Sequence, residues 1–109
     1  MRVRLKASSR DLMRVLITGA AGQDGTILAS LLERESIDVF GLIKPGTDAS
    51  LLRSYAPRID IAEVDLADVQ SLRGAMREVE PTHVYNFGGF TSPSASWQYP
   101  DEVRAINVD

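Results

Sequence analysis

The stretch Thr18-Gly19-Ala20-Ala21-Gly22-Gln23-Asp24-Gly25 constrains this chain more than any other. It follows a short apolar run, Val15-Leu16-Ile17, and opens a segment in which Ile27, Leu28, Leu31 and Leu32 recur at helical spacing. Gly-x-x-Gly-x-x-Gly is weak evidence by itself, because the chain holds 8 glycines in 109 residues. Between a buried strand and a helix the spacing gains a physical meaning. The first glycine permits a tight turn, the second lets the backbone approach a pyrophosphate, and the third lets the helix pack closely on the strand. Amide groups and the dipole at the helix start then attract an anion. A plain strand-to-helix turn is the alternative reading. A P-loop is excluded, since no Gly-Lys-Ser/Thr follows at the required place. Asp24 would repel a phosphate if its carboxylate pointed inward, so it is read as a helix cap that presents its backbone.

The rest of the body alternates short β-branched runs with helical periodicity. Strands are predicted at Val15–Thr18, Asp38–Ile43, Ile59–Val64 and His83–Phe87. Asp24–Glu35 reads as an amphipathic helix whose stripe is Ile27, Leu28, Leu31 and Leu32, with Glu33, Arg34 and Glu35 at its polar end. Lys44 to Asp48 carries turn chemistry through Pro45 and Gly46. A second helix is predicted from Asp68, as N-cap, to Glu78, with Val69, Leu72, Met76 and Val79 inward and Ser71 and Arg73 outward; Pro81 ends it. Gly88 to Pro100 is a Gly/Ser/Pro-rich loop, and a last helical stretch is predicted from about Asp101 to the chain end. Strands alternating with helices at about 30-residue spacing give βαβ units, a parallel sheet and right-handed crossovers. The fold class is therefore α/β, a partial doubly wound (Rossmann) fold of four parallel strands. Ending on its fourth strand, it would leave a sheet edge open to a second chain, so a homo-oligomer is one expected partner.

Composition narrows the class. With 44% hydrophobic and 25% charged residues, the chain resembles an ordinary globular domain and is too apolar for disorder. Cysteine is absent, which excludes a disulfide scaffold, a thiolate nucleophile and sulfur-based zinc sites. No apolar run approaches the roughly 20 residues that span a bilayer, and the expected setting is cytoplasmic, with no membrane partner. The net charge of −3 is uneven: Arg2, Arg4, Lys6, Arg10 and Arg14 oppose only Asp11 at the N-terminus. Residues 1–13 are expected to be a basic, disordered extension to a unit spanning 14–109, and Met13-Arg14-Val15-Leu16 is itself a plausible start. A nucleic-acid arm is the other reading of the tail, but it lacks an aromatic to stack on bases, and the body is acidic. No nucleic-acid partner is expected.

The end of the second strand bears on which dinucleotide is taken. An acid there would accept hydrogen bonds from a ribose 2′-hydroxyl and mark NAD, whereas a basic residue accommodates the 2′-phosphate of NADP. Ile43-Lys44-Pro45 stands at that place, with no acid until Asp48. Lys44 favours NADP over NAD, although a lysine there is also an ordinary solvated charge.

These residues resemble the extended short-chain dehydrogenase/reductases that act on nucleotide sugars, and among them the GDP-mannose 4,6-dehydratase group. Ile17-Thr18-Gly19-Ala20-Ala21-Gly22-Gln23-Asp24-Gly25 is similar to the group's strand-Thr-Gly-x-x-Gly-Gln-Asp-Gly. Val64-Asp65-Leu66-Ala67-Asp68 is similar to its Gly-Asp-Leu-Thr-Asp, and Glu80-Pro81-Thr82-His83-Val84-Tyr85-Asn86-Phe87-Gly88-Gly89 to its Gln-Pro-x-x-x-Tyr-Asn-Leu-Gly-Ala. The resemblance runs from Arg14 to Asp109. It implies that Gly19, Gly22, Gln23 and Asp24, with Ala20 and Ala21 between them, cradle the cofactor's pyrophosphate. Lys44 takes the place of the family's arginine at the 2′-phosphate. Asp65 and Leu66 fall at the adenine edge, and Phe87, Gly88 and Gly89 beside the ribose-phosphates. Asp65 is alternatively a turn carboxylate and Tyr85 a core aromatic; His83 is given no chemistry. Phe87, Phe90, Ser92-Pro93 and Glu102 depart from the dehydratase pattern, which weakens the GDP-mannose assignment within the family without touching the cofactor site.

The family's chemistry oxidises the sugar at C4, which acidifies the neighbouring C5 proton, and returns hydride after elimination. It uses a Tyr-x-x-x-Lys pair whose lysine lowers the tyrosine pKa. Ile59, Gly89 and Val103 stand four residues after Tyr55, Tyr85 and Tyr99, so the pair is absent here and no catalytic residue is assigned. The chain is expected to be an N-terminal, NADP-binding portion of such an enzyme that does not turn over alone, its nucleotide sugar a partner only of the intact enzyme. A stand-alone nucleotide-binding or interaction module is the alternative.

Overall fold

The computed structural model describes residues 13–87 and the backbone of 104–107. Five strands, β1 (Arg14–Thr18), β2 (Asp38–Ile43), β3 (Asp60–Glu63), β4 (His83–Asn86) and β5 (Arg104–Asn107), form one sheet in the order β3-β2-β1-β4-β5, every pairing parallel. Helices α1 (Gln23–Arg34), α2 (Ser50–Tyr55) and α3 (Val69–Val79) make the crossovers from β1 to β2, β2 to β3 and β3 to β4. This is the doubly wound order, which reverses direction between β1 and β4 and opens a crevice at their carboxyl ends.

Helices cover both faces of the central strands, which is why β1 and β2 are buried almost continuously rather than on alternate residues. Val15, Ile17, Val39 and Ile43 pack with Ala29 of α1 and Leu52 and Ala56 at α2. Leu16, Phe40, Leu42 and Val84 point to the other face, against Leu72 and Val79 of α3. Helix α3 follows its reading closely. The Asp68 carboxylate accepts from the Ser71 backbone N–H at 3.2 Å and from its hydroxyl at 2.8 Å, and the chain leaves the helix through Glu80 in the left-handed region at φ 50°.

Three expectations are corrected. Arg104–Asn107, predicted within a helix, is strand β5, in register with His83–Asn86. A parallel neighbour satisfies the outward ladder groups of β4, so the open edge expected beside the fourth strand is covered. Helix α2 was not predicted. It has six residues and buries only Leu52, too little periodicity to register, and it starts where Asp48 accepts from the Ser50 N–H at 2.9 Å. The third correction concerns the face of α1. The buried residues are Gly25, Thr26, Ala29 and Glu33, while Ile27 and Leu31 are 48% and 50% exposed and Leu28 and Leu32 lie half-buried on the flank. At its N-terminal end the helix sits too close to the Gly19–Ala20 loop for any side chain between them, and Leu28 and Leu32 pack against the core from the side. A Cβ built on Gly25 would lie 2.6 Å from the Gly19 carbonyl oxygen and 2.9 Å from the Ala20 Cα.

Glu33, assigned to the polar end of α1, is buried. Its Oε2 accepts from the Arg58 N–H at 3.0 Å, its Oε1 lies 3.6 Å from the Arg58 Nε, and its carbonyl accepts from Arg58 Nη2 at 3.0 Å. The carboxylate thus clamps α1 to the turn that leads into β3. The basic tail, the Gly88–Pro100 loop and the departures at Phe90, Ser92-Pro93 and Glu102 lie outside the described residues, as do Gly88 and Gly89.

Candidate functional site

The glycine loop leaves β1 at the crevice. Gly19 adopts φ 66°, a left-handed conformation that glycine takes without steric cost. The chain then turns so that the Gly22 N–H donates to the Gly19 carbonyl at 3.1 Å. Ala20 is fully buried, and its N–H donates to the Leu42 carbonyl at 3.3 Å, tying the loop to β2. Ala20 therefore contributes packing rather than an amide for a ligand. Thr26 completes the latch: its hydroxyl donates to the Ala20 carbonyl at 3.1 Å, and its N–H makes the first helical bond, to Gly22, at 2.9 Å.

Gly22 caps α1 without a side-chain hydrogen bond, so Asp24 is not the cap the sequence suggested. It stands exposed in the first turn, where a carboxylate favours the helix dipole. The amides of Gln23, Asp24 and Gly25 precede the first helical bond, and those positions carry the orphan donors of a helix start. Gly22, Gln23 and Asp24 are exposed and Ala21 is half-buried. With the Gly22 N–H held by the Gly19 carbonyl, the amides of Gln23, Asp24 and Gly25 are the backbone donors at this open, positive end of the helix, which is the chemistry a pyrophosphate requires.

The other predicted positions follow the carboxyl ends of the neighbouring strands. Lys44 is exposed directly after β2. Asp65 and Leu66 come after β3; Leu66 is half-buried against the core, and the exposed Asp65 carboxylate accepts from the Ala67 N–H at 3.0 Å, the turn role named as its alternative. Phe87, directly after β4, is half-buried against the α1 face of the core, as is Tyr85, its reading as a core aromatic. His83 Nδ1 lies 2.8 Å from the Thr82 hydroxyl, at the opposite end of β4.

One contact at the crevice was absent from the sequence reading. The Thr18 hydroxyl donates to Asn86 Oδ1 between register partners on β1 and β4, both buried, and the Phe87 N–H donates to the Thr18 carbonyl at 3.1 Å. Nothing in residue spacing announces such a pair, since its members stand 68 positions apart. Two carboxyl groups among the described residues sit below the ordinary aspartate pKa. Asp48 and Asp68 are both lowered, by the hydroxyl and then the N–H of Ser50 and of Ser71 respectively. Among the described residues no cluster of three or more His, Cys, Asp or Glu side chains could hold a metal ion, and no helix is long and apolar enough to cross a membrane.

A parallel sheet of this order, with this glycine loop between its first strand and helix, is the architecture of the extended short-chain dehydrogenase/reductases. Residues 16–109 match the family model described as GDP-mannose 4,6 dehydratase. The chain belongs to that family. It is 31% identical over 104 residues to a GDP-mannose 4,6-dehydratase of Vibrio cholerae, covering 87% of this chain and 28% of that protein. Identity to UDP-glucuronate 4-epimerase 4 of Arabidopsis thaliana is 35% over 112 residues, covering 96% of this chain and 26% of the relative. Among solved structures, the UDP-glucose 4-epimerase of Thermus thermophilus, in complex with NAD, superposes with a TM-score of 0.59 at 34% identity, covering 69% of this chain and 24% of that one. The chain thus spans about a quarter of the length of these relatives.

Proposed function

We propose that residues 14–109 are the NADP(H)-binding portion of a nucleotide-sugar 4,6-dehydratase or epimerase of the GDP-mannose 4,6-dehydratase type, with residues 1–13 a basic extension outside that unit. The observation that carries this reading is the glycine loop at the switch point of the sheet, with the helix-start amides of Gln23, Asp24 and Gly25 ahead of the first α1 hydrogen bond. In this reading those amides take the pyrophosphate, which Gly22 lets approach. Lys44 binds the 2′-phosphate, Asp65 and Leu66 border the adenine, and Phe87 with Gly88 and Gly89 flanks the ribose-phosphates. The NAD named with the Thermus thermophilus epimerase supports a nicotinamide dinucleotide.

When bound, the nicotinamide supplies a hydride acceptor and donor for the sugar. This chain's own residues bind and orient it. Its 109 residues contain no Tyr-x-x-x-Lys pair, so it binds cofactor without turning over nucleotide sugar by itself. The proposed setting is cytoplasmic. The test is a fluorescence titration of the 109-residue chain with NADP⁺ and NAD⁺. Tighter NADP⁺ binding is expected; equal or tighter NAD⁺ binding overturns the NADP choice, and binding of neither overturns the reading. Product from GDP-mannose and NADP⁺ with this chain alone overturns its catalytic incompetence.

A further inference from the structure

Four charged residues stand at the carboxyl ends of β2 and β3: Lys44, Asp48, Glu63 and Asp65. Two of the three acids are turned to local work. Asp48 accepts from the Ser50 N–H at 2.9 Å and from its hydroxyl, and Asp65 accepts from the Ala67 N–H at 3.0 Å. Glu63 reaches instead to the loop after β2, where its Oε1 accepts from the Gly46 N–H at 3.3 Å. Sheet register puts it there. Glu63 ends β3 opposite Ile43, the last residue of β2, and the next N–H, of Val64, donates to the Ile43 carbonyl at 2.9 Å.

The consequence lies in what the loop can offer an anion. A phosphate group is recognised by cations together with backbone N–H donors. Lys44 supplies the cation. Pro45 has no N–H, the Gly46 N–H is held by Glu63, and the Thr47 N–H donates to the Lys44 carbonyl at 3.1 Å. Positions 45–47 therefore present no uncommitted amide, and they carry a carboxylate bound in their midst.

We propose that Glu63 is a specificity-determining residue of the cofactor site. By holding the Gly46 amide and placing a negative charge in the loop after β2, it opposes the 2′-phosphate that Lys44 attracts and narrows the preference for NADP over NAD. The proposal rests on the dinucleotide reading above. Glu63 acts from the end of the third strand, so it tempers the choice made at the end of the second without contacting the pyrophosphate cradle.

The test is calorimetric titration of the 109-residue chain and its Glu63→Gln and Glu63→Ala variants with NADP⁺ and with NAD⁺. Gln removes the charge while keeping a carbonyl that can accept from Gly46; Ala also releases the amide. The ratio of NADP⁺ to NAD⁺ affinity is expected to rise about two- to fivefold in Glu63→Gln, the range for one exposed charge pair, and further in Glu63→Ala, with NAD⁺ affinity nearly constant. Circular dichroism should show both variants folded, and faster hydrogen exchange at the Gly46 amide in Glu63→Ala should confirm its release. An unchanged or lowered ratio, or equal weakening of both cofactors, overturns the proposal while leaving the dinucleotide reading intact. Failure of all three proteins to bind either cofactor overturns the reading and the proposal together.

Discussion

Gly25 lies against the carbonyl of Gly19, so close that a Cβ added to it would stand 2.6 Å from the oxygen. Because that neighbour is backbone, a side chain could be accommodated only by lifting α1 off the loop. Gly25→Ala is expected to lower stability by about 1–3 kcal/mol, the usual cost of overpacking. Urea denaturation followed by circular dichroism measures it. Gly74, inside α3, faces open space among the described residues where a Cβ would stand, and Gly74→Ala is expected to raise stability by about 0.5–1 kcal/mol. Equal effects at the two sites would show that the tight approach of α1 is not real.

Gly22 separates binding from folding. It is exposed, its backbone is extended, and among the described residues a Cβ there would meet the Gly19 oxygen, at 3.3 Å. Gly22→Ala is expected to cost no more than about 1 kcal/mol of stability, as alanine at an N-cap does, while weakening NADP⁺ by at least about tenfold, or about 1.4 kcal/mol. Unaltered affinity in a folded variant would remove the pyrophosphate from this loop.

At the crevice, Thr18→Val keeps the shape of the side chain and removes the hydroxyl that donates to Asn86. Stability is expected to fall by about 1–3 kcal/mol, the penalty for taking a hydrogen-bond partner from a buried polar atom. A chemical denaturation series reads it; a neutral substitution would mean that the β1–β4 contact contributes nothing.

Ile27 and Leu31 give opposite expectations under the sequence reading and under the structure. As the inward stripe of α1 they would be indispensable; as half-exposed positions they are not. Ile27→Lys and Leu31→Lys are each expected to change stability by no more than about 0.5 kcal/mol, whereas Ala29→Lys should prevent folding. Melting curves decide between the two.

The Asp68 cap carries a pH signature. Hydrogen bonds from Ser71 lower its carboxyl below the ordinary value of 3.8. A group whose folded value is depressed stabilises the fold above its unfolded value and loses that contribution as pH falls through the folded value. Asp68→Asn should therefore melt below the wild type at neutral pH, with the gap closing in acid, below the ordinary aspartate value. A gap that persists unchanged to low pH would assign it to packing rather than ionisation.

Much of this architecture is legible in sequence because local chemistry and tertiary demand agree. The β2 limits, Asp38–Ile43, coincide with the predicted run, and the Asp68 cap is visible from its place before a periodic segment. What was misread depends on partners distant in the chain. Strand β5 owes its form to the edge of β4, and the buried face of α1 is set by the closeness of Gly25 to Gly19 rather than by the largest apolar residues. At the site, glycine spacing announced the loop, whereas the Thr26 latch, the Thr18–Asn86 pair and the reach of Glu63 to Gly46 arise from packing and register.

The most direct test of the account is a proton–nitrogen amide spectrum of the chain titrated with NADP⁺. The largest shifts are expected at Gly19, Gly22, Gln23, Asp24 and Gly25, saturating together, with smaller ones at Lys44. Shifts confined to other residues, or none at saturating cofactor, would contradict the assignment of the glycine loop as the pyrophosphate site.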